Sequence, residues 1–534
     1  MFKVFDTSAF LNRFFFNDIE AVITTNSVLG EIKNREQKQQ IDNLIQRGKI
    51  HIKEPSERVL KEIQKKALKG LSKTDIEIVA LAEELKLELY TDDFMIRKYA
   101  SDLGIKVKGI AYEMKEKNIL DEVYEKIKPT KEELQETKRI SKEIIIKLRV
   151  ASKKLKMPIK KIILAGSSAR GTFITNKKDL DFFLLFDLKC SVEDIKIYNE
   201  KILKTAFPKV EFWEEYGEHP YLKCRMFNNN IDFVPGFYIT KIEQKKSAVD
   251  RTPLHLRFLQ KYQNEEIKKQ AILLKQFLKN NLLYGADQKN NGFSGYLTEL
   301  FILKFQSFEK VLKAVSNLEK NKYLYIKKPK VMKKFDDYFI FVDPTDENRN
   351  VASAVSKKNW QIFNILAKEY LKTPKEIFFF GNNYNQELPK NLLALEIEIE
   401  GKTPDVKWGI IKGIAKRLAN ELNTKHYNID DYSGIIHKDE GLIVFESKLK
   451  DILRGPELKD TKNSKAFRKK HKNTYVKDNR LYCDIKFTRK KLVSETKRTI
   501  RYLIEKPKIE IVDYNKLKLT EEELKRIKKD FLKL

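Results

Sequence analysis

Two aspartates one residue apart, Asp179 and Asp181, form the sequence's clearest chemical motif. They lie in KDLDFFLLF, after an apolar run that breaks at Gly166-Ser167-Ser168. Alternate residues of a strand share a face, so the two carboxylates point together while Leu180 faces the core. A glycine-serine step after a strand lets backbone amides and a hydroxyl approach a phosphate. Paired carboxylates without a basic neighbour favour bound Mg²⁺, although two solvated acids at a strand end would show the same spacing.

A third carboxylate lies downstream, in EHPYLKCRMFNNNIDFVPGF. A turn predicted at Asn228 to Asn230 leads into an alternating segment that places Asp232 on a strand. Taken alone, Asp232 fits an ordinary edge-strand acid equally well. With Asp179 and Asp181 it completes a site for two metal ions, one activating an attacking hydroxyl and the other holding a triphosphate and stabilising the leaving pyrophosphate.

A separate set of acids recurs near the N-terminus, and its members are Asp6, Glu31, Asp75, Asp92 and Asp93. Asp6 and the pair Asp92-Asp93 directly follow predicted strands. Ligands of an open parallel sheet bind outside the carboxyl ends of its strands, so we expect these carboxylates to converge there. An acid in the first turn of a helix, such as Asp75, can alternatively serve only as a cap.

The predicted elements around these acids alternate between strands and helices. Strands are expected at Lys3 to Phe5, Ala21 to Thr25, Leu87 to Thr91 and Ile105 to Gly109. The helical pattern SKTDIEIVALAEEL begins at a serine cap, Ser72. This alternation predicts a parallel sheet with helices on both faces. The first residues, MFKVFDTSAFLNRFFF, lack a basic leader and a small-residue cleavage site, which favours a strand and a helix over a signal peptide.

The charge of the whole chain favours a nucleic-acid partner. Lys and Arg exceed Asp and Glu by 31 over 534 residues, and binding to phosphates gains from counterion release. Only three cysteines are present and they are widely separated, which argues against a disulfide framework and a cysteine zinc site. No apolar run approaches the roughly 18 residues that a membrane span requires. We therefore expect a cytoplasmic protein without a membrane partner.

Four domains are predicted from the length and the changes in pattern. The boundary before residues 126–260 falls in a charged helical segment, Glu113 to Lys138, that breaks at Pro129-Thr130. Residues 126–260 contain the three aspartates. Residues 261–385 are predicted to be mainly helical. Strands such as LIVFESK and RLYCDIKFT predict an α+β arrangement for residues 386–534. Together with the parallel α/β sheet of residues 1–125, these patterns indicate a multidomain α/β and α+β protein.

The N-terminal acids carry a family resemblance. FDTSAFL, TTNSVLGEI, LSKTDIEIVALA and YTDDFMIRKYASDLGIKV resemble the PIN domain family of metal-dependent ribonucleases over about residues 1 to 115. The resemblance implies a metal-dependent nuclease site, and it leaves open whether that site uses Mn²⁺. The acidic residues it assigns to this site are Asp6, Glu31, Asp75, Asp92 and Asp93.

The rest of the chain resembles a second family. GSSARGTF, KDLDFFLLF, NNIDFVPGF, SAVDRTPLHLRFL, GFSGYLTELFILKFQSF and FVDPTDENRNVASAVS together look like the archaeal (class I) CCA-adding enzymes, over roughly residues 128 to 534. The resemblance implies a polymerase-β-like nucleotidyltransferase head, a helical middle domain, and an α+β body and tail. It implies addition of C, C and A to tRNA 3' ends from CTP and ATP, with Mg²⁺ and without a nucleic acid template.

The second resemblance also assigns site residues. It implies metal binding by Asp179, Asp181 and Asp232. The positions that it assigns to the incoming nucleotide are Ser167, Arg170, Thr252, His255, Lys275, Tyr284 and Arg349, with Arg349 at the base edge. The basic residues that it assigns to the tRNA backbone are Arg468, Lys469, Lys470 and Lys472.

Two other functions remain open from the residues alone. A poly(A) or oligoadenylate-type polymerase shares the G-S…D-x-D site, and a non-catalytic tRNA-binding protein would share the basic surface. Lone residues such as His255 are often structural, and a lysine-rich loop is often only solvated. Whether the chain forms a homodimer is also left open.

Overall fold

The computed structural model describes residues 2–11, 21–68, 70–176, 178–216, 220–317, 323–389, 392–399, 403–447, 450–504 and 508–532, with backbone only at 110–118 and 450–451. It divides into two compact units, Met1–Glu122 and Val123–Leu534. No helix in these ranges is long and apolar enough to cross a membrane.

The N-terminal unit is built on a parallel sheet with the strand order β3-β2-β1-β4-β5 in the described residues. Its strands are β1 (Lys3–Phe5), β2 (Val22–Thr24), β3 (Ile50–Ile52), β4 (Leu89–Tyr90) and β5 (Val107–Lys108). Its helices are α1 (Thr7–Leu11), α2 (Asn26–Glu31), α3 (Arg35–Gln46), α4 (Glu57–Lys65), α5 (Lys73–Leu85) and α6 (Phe94–Asp102). A further helix, α7 (Ile110–Ile127), contains the division between the units.

The predicted parallel sheet is confirmed, but one of its strands was missed. β3 carries the short sequence IHI, in which Ile50 is buried while His51 and Ile52 are exposed, as fits an edge strand. Such a segment lacks the alternating pattern that identifies longer strands. The expected helix after β1 runs from Thr7 to Leu11, and the remainder of that prediction, residues 12–16, lies outside the described residues.

The predicted cap of α5 is present, because Ser72 and Asp75 form a capping box at its start. Helix α5 ends at Leu85, and its C-cap residue Lys86 has the left-handed backbone angle φ 53°. Five consecutive residues of α5, Ile78–Ala82, are buried, so this helix packs on its neighbours around much of its circumference. With Phe5 and Tyr90 of the central strands, whose rings lie 5.5 Å apart, it forms the core of the unit.

The second unit contains four sheets in the described residues, with strand orders β6-β7-β10-β9-β8, β11-β12-β13, β15-β16-β14-β20 and β17-β19-β18. The strands of the first two are β6 (Ile159–Leu164), β7 (Asp179–Phe186), β8 (Trp213–Tyr216), β9 (Pro220–Met226), β10 (Asn229–Phe237), β11 (Tyr323–Leu324), β12 (Ile340–Asp343) and β13 (Asp346–Asn350). The others are β14 (Leu392–Ile397), β15 (Tyr432–His437), β16 (Glu440–Glu446), β17 (Lys450–Glu457), β18 (Thr474–Lys477), β19 (Arg480–Lys486) and β20 (Ile509–Val512).

The helices of the second unit occur before, between and after these sheets. They are α8 (Lys131–Lys154), α9 (Gly166–Arg170), α10 (Val192–Ala206), α11 (Thr252–Tyr262), α12 (Glu265–Asn280), α13 (Gly295–Phe305), α14 (Phe308–Ser316), α15 (Lys357–Lys372), α16 (Ile377–Phe380), α17 (Pro404–Thr424), α18 (Thr461–Lys470), α19 (Arg489–Leu503) and α20 (Glu521–Asp530). The mixed α/β and α+β fold class is confirmed.

In the five-stranded sheet of the second unit, β7 and β10 run parallel, whereas the other strand pairs are antiparallel. Helices α8 and α10 cover one face, and their apolar residues share a core with Leu180 and Ile231. The turn before β10 lies at Phe227-Asn228 and not at Asn228 to Asn230 as predicted. Both turn residues have positive φ, which a type I′ hairpin turn requires and which asparagine tolerates well.

Candidate functional site

The two neighbouring strands β7 and β10 carry the three predicted aspartates of the second unit. In their parallel register Asp232 lies directly beside Asp181, and Asn230 lies beside Asp179. Leu180, between the two acids of β7, is completely buried, so the predicted alternation is confirmed. The pairing therefore presents three carboxylates on one face at the start of two adjacent strands.

The glycine before these strands is required by a close approach. Gly166 has φ +65°, and a Cβ at this position would lie 2.2 Å from Asp181 Oδ2. The backbone N–H of Ala165 donates to the Asp181 carbonyl at 2.8 Å, which holds the loop against β7. The Ser168 hydroxyl donates to the Asp179 carbonyl at 2.5 Å. Helix α9 is thus fixed beside the carboxylates, and only glycine fits at its first residue.

Burial and mutual repulsion dominate the electrostatics of the three acids. Burial, followed by the negative charges of Asp232 and Asp179, raises the pKa of Asp181 to about 7. Burial also raises the pKa of Asp232 to about 6, although the nearby Lys223 ammonium opposes this shift. The Lys223 Nζ lies 3.5 Å from Asp232 Oδ1. The three aspartates are therefore costly to ionise together unless a cation neutralises their negative charge.

The residues fit a divalent cation, although they do not surround one as they stand. In the described ranges, no three Asp, Glu, His or Cys side chains are grouped so as to hold a metal ion. However, Asp232 Oδ1 is buried and accepts no hydrogen bond of good geometry from the described residues, and the Lys223 ammonium reaches it only at 3.5 Å. This incompletely satisfied oxygen, the repulsion among the carboxylates and their all-oxygen chemistry suit a hard cation such as Mg²⁺.

A cleft of about 520 Å³ brings most of the predicted nucleotide residues to these acids. The predicted residues that line it are Ser167, Arg170, Asp179, Asp181, Asp232, Thr252, His255, Lys275 and Tyr284. Arg349 is not among the lining residues. Its Nη1 donates to Asp343 Oδ2 at 3.0 Å, and the same oxygen lies 2.9 Å from Nε2 of His255. Arg349 is therefore connected to the cleft through a shared partner.

Sequence reasoning missed the buried acid Glu299 of α13. Arg170 donates to it through Nε at 2.9 Å and Nη2 at 2.6 Å, and the Thr172 hydroxyl donates at 3.0 Å. Burial alone would raise the pKa of Glu299, but the Arg170 charge and hydrogen bonds hold it below its usual range. The guanidinium of Arg170 is thus engaged by a carboxylate at the cleft wall. The available signal was an acid inside the apolar helix GYLTELFILKF.

Lys275 and Tyr284 form the neighbouring wall of the cleft. Lys275 is 3% exposed, and its Nζ donates to the Thr172 carbonyl at 2.6 Å. Burial lowers its pKa to about 8, against the opposing effect of Glu299. Tyr284 lies beyond the end of α12, and burial raises its pKa. A Cβ on Gly295 would lie 2.7 Å from the Tyr284 hydroxyl oxygen, so α13 begins with a residue small enough for this contact.

In the N-terminal unit the structure relates Asp6 and Asp92 through one shared partner, Ser8. Asp6 follows β1 and is 3% exposed. The Ser8 hydroxyl donates to Asp6 Oδ1 at 2.8 Å and accepts from the Asp92 backbone N–H at 2.8 Å. Burial raises the pKa of Asp6 to about 6; hydrogen bonds from Thr91, Ala9 and Ser8 oppose the shift, and the Asp92 charge adds to it. The two acids follow the adjacent central strands β1 and β4, where the strand order changes direction.

The other predicted acids of this unit have identifiable local contacts. Asp75 accepts from the Ser72 backbone N–H at 2.7 Å, and Asp93 accepts from the Met95 N–H at 2.7 Å, so both cap helices. Glu31 is exposed and accepts from the Thr7 hydroxyl at 2.5 Å. The capping alternative is thus present for Asp75 and Asp93, while Asp6 and Asp92 are placed for a shared site.

The predicted tRNA-binding residues cluster at the end of α18. Arg468, Lys469 and Lys470 form its last turn, and Lys472 follows it. All four side chains are exposed. The structure thus places four cations on one short stretch beside the sheet β17-β19-β18, as contacts to a phosphate backbone require.

Comparison with known proteins gives matches in both units. A family model described as a PIN domain of ribonuclease matches residues 4–85, a nucleotidyltransferase domain matches 144–255, and the second domain of tRNA nucleotidyltransferase matches 269–380. A CCA-adding enzyme of Methanocaldococcus jannaschii is 34% identical over 391 residues, covering 68% of this chain and 86% of the relative. A CCA-adding enzyme of Methanococcus maripaludis is 37% identical over 328 residues, covering 58% and 73%. One of Saccharolobus shibatae is 33% identical over 315 residues, covering 59% and 74%.

Both resemblances seen in the sequence are thereby confirmed at the level of families. The N-terminal match falls on the unit with the parallel sheet and the buried Asp6. The other two matches fall on the mixed sheet with the three aspartates and on the helices that complete their cleft. The chain belongs to the CCA-adding enzymes, which are tRNA nucleotidyltransferases, and it carries a PIN domain at its N-terminus.

Proposed function

We propose that this chain adds C, C and A to tRNA 3' ends from CTP and ATP, without a nucleic acid template. The observation that carries the proposal is a single cleft lined by Asp179, Asp181 and Asp232 together with the buried cation Lys275. Transfer of a nucleotidyl group requires carboxylates for the metal and positive charge for the triphosphate. Both line this one cleft.

The three aspartates would hold Mg²⁺ in this proposal. When bound, the metal supplies a more reactive 3' hydroxyl and neutralises charge on the triphosphate. Ser167 and Thr252 offer hydroxyl donors to the phosphates, and Lys275 offers an ammonium. Arg170 acts through Glu299, since this pair holds α9 against α13 and thereby fixes the loop that begins at Gly166.

The remaining predicted residues bind the nucleoside and the tRNA. His255 and Tyr284 line the same cleft, and Arg349 is joined to His255 through Asp343. The planar guanidinium of Arg349 is suited to a base edge. We infer that residues 126–260 form the catalytic head, 261–385 the middle domain, and 386–534 the body and tail that bind tRNA through the basic end of α18.

The direct test supplies full-length protein with tRNA that lacks CCA, Mg²⁺ and labelled CTP and ATP. Ordered addition of C, C and A that then stops is the expected result. Incorporation of ATP alone would instead favour the poly(A) or oligoadenylate type of polymerase.

A matched pair of variants tests the role of the carboxylates. Asp181→Ala should abolish incorporation but keep tRNA binding. Asp187→Asn is the control, since Asp187 follows the opposite end of β7 and pairs with Lys160 at 2.8 Å. If Asp181→Ala incorporated nucleotides normally, the proposed site would be wrong.

A second function is supported by the N-terminal unit, for which we infer metal-dependent cleavage of RNA. The supporting observation is the buried Asp6 beside Asp92 at the carboxyl edge of a parallel sheet. A buried carboxyl with a raised pKa beside a second acid is typical of metal-binding and catalytic positions. A division of labour in which this unit trims 3' extensions and the transferase rebuilds the end would join the two activities.

This idea is tested with a precursor tRNA that carries a 3' extension. The wild-type chain with Mg²⁺ or Mn²⁺ should shorten the extension, whereas Asp6→Asn should not. Asp42→Asn is the control because Asp42 is an exposed acid on α3 of the same unit. Identical products from the wild-type chain and Asp6→Asn would exclude trimming by this site.

A further inference from the structure

The buried carboxylate of Asp343, at the end of β12, is the centre of a network that the sequence did not reveal. It has no exposed surface. Its Oδ2 lies 2.9 Å from His255 Nε2 and 3.0 Å from Arg349 Nη1. Its Oδ1 accepts from the Thr345 N–H at 2.9 Å, from the Thr345 hydroxyl at 2.8 Å and from the Tyr296 hydroxyl at 3.2 Å. Five donors from four residues therefore converge on one side chain.

This environment keeps Asp343 ionised. Burial alone would raise its pKa, but the contacts with His255 and Thr345 and the charge of Arg349 hold the pKa well below its usual range. An ionised carboxylate only accepts hydrogen bonds, so His255 Nε2 must carry the hydrogen in this pair. Burial lowers the pKa of His255. In the neutral imidazole the other nitrogen, Nδ1, is consequently an acceptor.

The same contacts fix two orientations together. The imidazole of His255 is stacked on the Tyr296 ring with centroids 3.8 Å apart and planes at 17°, while its Nε2 is held by Asp343. The Arg349 side chain is 34% exposed, and its Nη1 donates a hydrogen bond to the same Asp343 carboxylate. Neither residue can rotate without losing a hydrogen bond to a buried charge.

We propose that Asp343 is the positioning residue that fixes Arg349 and His255 in one geometry and thereby determines which nucleotide the cleft accepts. This inference rests on the proposed function of the cleft. A guanidinium donor favours the ring-nitrogen acceptors at N3 of cytosine and N1 of adenine, whereas uracil and guanine carry N–H groups at those positions. Discrimination of this kind requires a donor held in a fixed orientation, because a mobile arginine adapts to either pattern.

The test is Asp343→Asn in the full-length chain, with CTP and UTP compared on tRNA that lacks CCA. Asparagine keeps the shape of the side chain but turns one acceptor into a donor that opposes Arg349 or His255. We expect the ratio of kcat/KM for CTP to that for UTP to fall by about 10- to 100-fold, the size of one well-oriented arginine contact to a base.

Asp346→Asn is the matched control. Asp346 is 4% exposed in the same hairpin, and it pairs with Arg251 at 2.9 Å and with Lys245 at 3.8 Å. Its loss should destabilise the hairpin and alter kcat/KM for both nucleotides alike, leaving the ratio unchanged. If the same held for Asp343→Asn, Asp343 would only support the fold and the proposal would be overturned.

A milder variant covers the case in which Asp343→Asn does not fold. Thr345→Val removes one hydroxyl donor to Asp343 Oδ1 and should lower the ratio several-fold; an unchanged ratio would contradict the proposal. The wild-type measurement separates the two levels of inference. A wild-type chain that shows no preference for CTP refutes the proposed function, and the positioning role with it, whereas a selective wild type with equally selective variants refutes the positioning role alone.

Discussion

The replacement of Gly166 by alanine should lower activity by about 100-fold, because it displaces a single carboxylate. The added Cβ would lie 2.2 Å from Asp181 Oδ2, so the two atoms must separate by at least 0.8 Å to reach the 3.0 Å below which real Cβ contacts essentially never occur. A displacement of about 1 Å at a reacting centre can lower the rate by about 100-fold. The left-handed backbone of a non-glycine residue adds a destabilisation of about 1–2 kcal/mol.

Gly171→Ala separates these two effects. Gly171 has φ +67°, close to the +65° of Gly166, but its Cβ would meet only Leu134 Cδ2, at 3.3 Å. Both variants should therefore lose the same backbone contribution of about 1–2 kcal/mol to the free energy of unfolding, measured in denaturant. Only Gly166→Ala should lose about 100-fold in kcat/KM for cytidine addition to tRNA lacking CCA. Equal losses of activity in the two variants, or near wild-type activity of Gly166→Ala, would refute the reasoning.

Three further predictions follow from the same cleft and from the tail. Glu299→Gln should destabilise the protein by about 3–5 kcal/mol, measured by denaturant unfolding, because it leaves Arg170 buried without its counter-charge. A loss of unfolding free energy below about 1 kcal/mol would contradict this prediction, because it is typical of an exposed ion pair. The folded-state pKa values of Asp181 and Asp232 are raised to about 7 and about 6. The metal-free chain therefore binds more protons when it is folded than when it is unfolded. Its stability consequently falls as the pH rises from about 4 to 7. Mg²⁺ requires the ionised carboxylates, so it should raise Tm more at about pH 8 than at about pH 5.5, and equal rises would contradict this assignment. Replacing the basic residues at the end of α18 with alanine should weaken tRNA binding. The slope of log affinity against log salt concentration should become less steep by about one for each phosphate that the variant no longer neutralises. An unchanged slope would exclude these residues from the tRNA-binding surface.

The sequence predicted those features of the fold that depend on local pattern. Alternation around Leu180 correctly separated the acids of β7 from the core, and the Ser72 cap correctly began α5. The strand LELYT was found, although only Leu89–Tyr90 of it is paired. Local rules succeed here because strand alternation and helix capping are properties of a few consecutive residues.

The missed features depend on contacts between distant residues. The residues around Glu299 in the sequence do not predict its pairing with Arg170, which lies 129 positions away. Asp343 likewise acquires its role from His255, 88 positions earlier in the chain. The register that sets Asp232 beside Asp181 follows from the order of strands in the sheet, which neither segment contains. A buried acid in an apolar segment signals that a partner exists, but only the fold identifies it.

The pairing of Arg170 with Glu299 also bears on how the protein is made. All three cleft aspartates precede α13 in the chain, so a nascent polypeptide contains them well before Glu299 has been synthesised. Until α13 emerges, Arg170 has no Glu299 carboxylate to engage and the loop at Gly166 lacks its support from that side. The order of synthesis thus delays completion of the cleft until more than half of the chain has left the ribosome, and a fragment ending before α13 would possess the carboxylates without the wall that holds them in place.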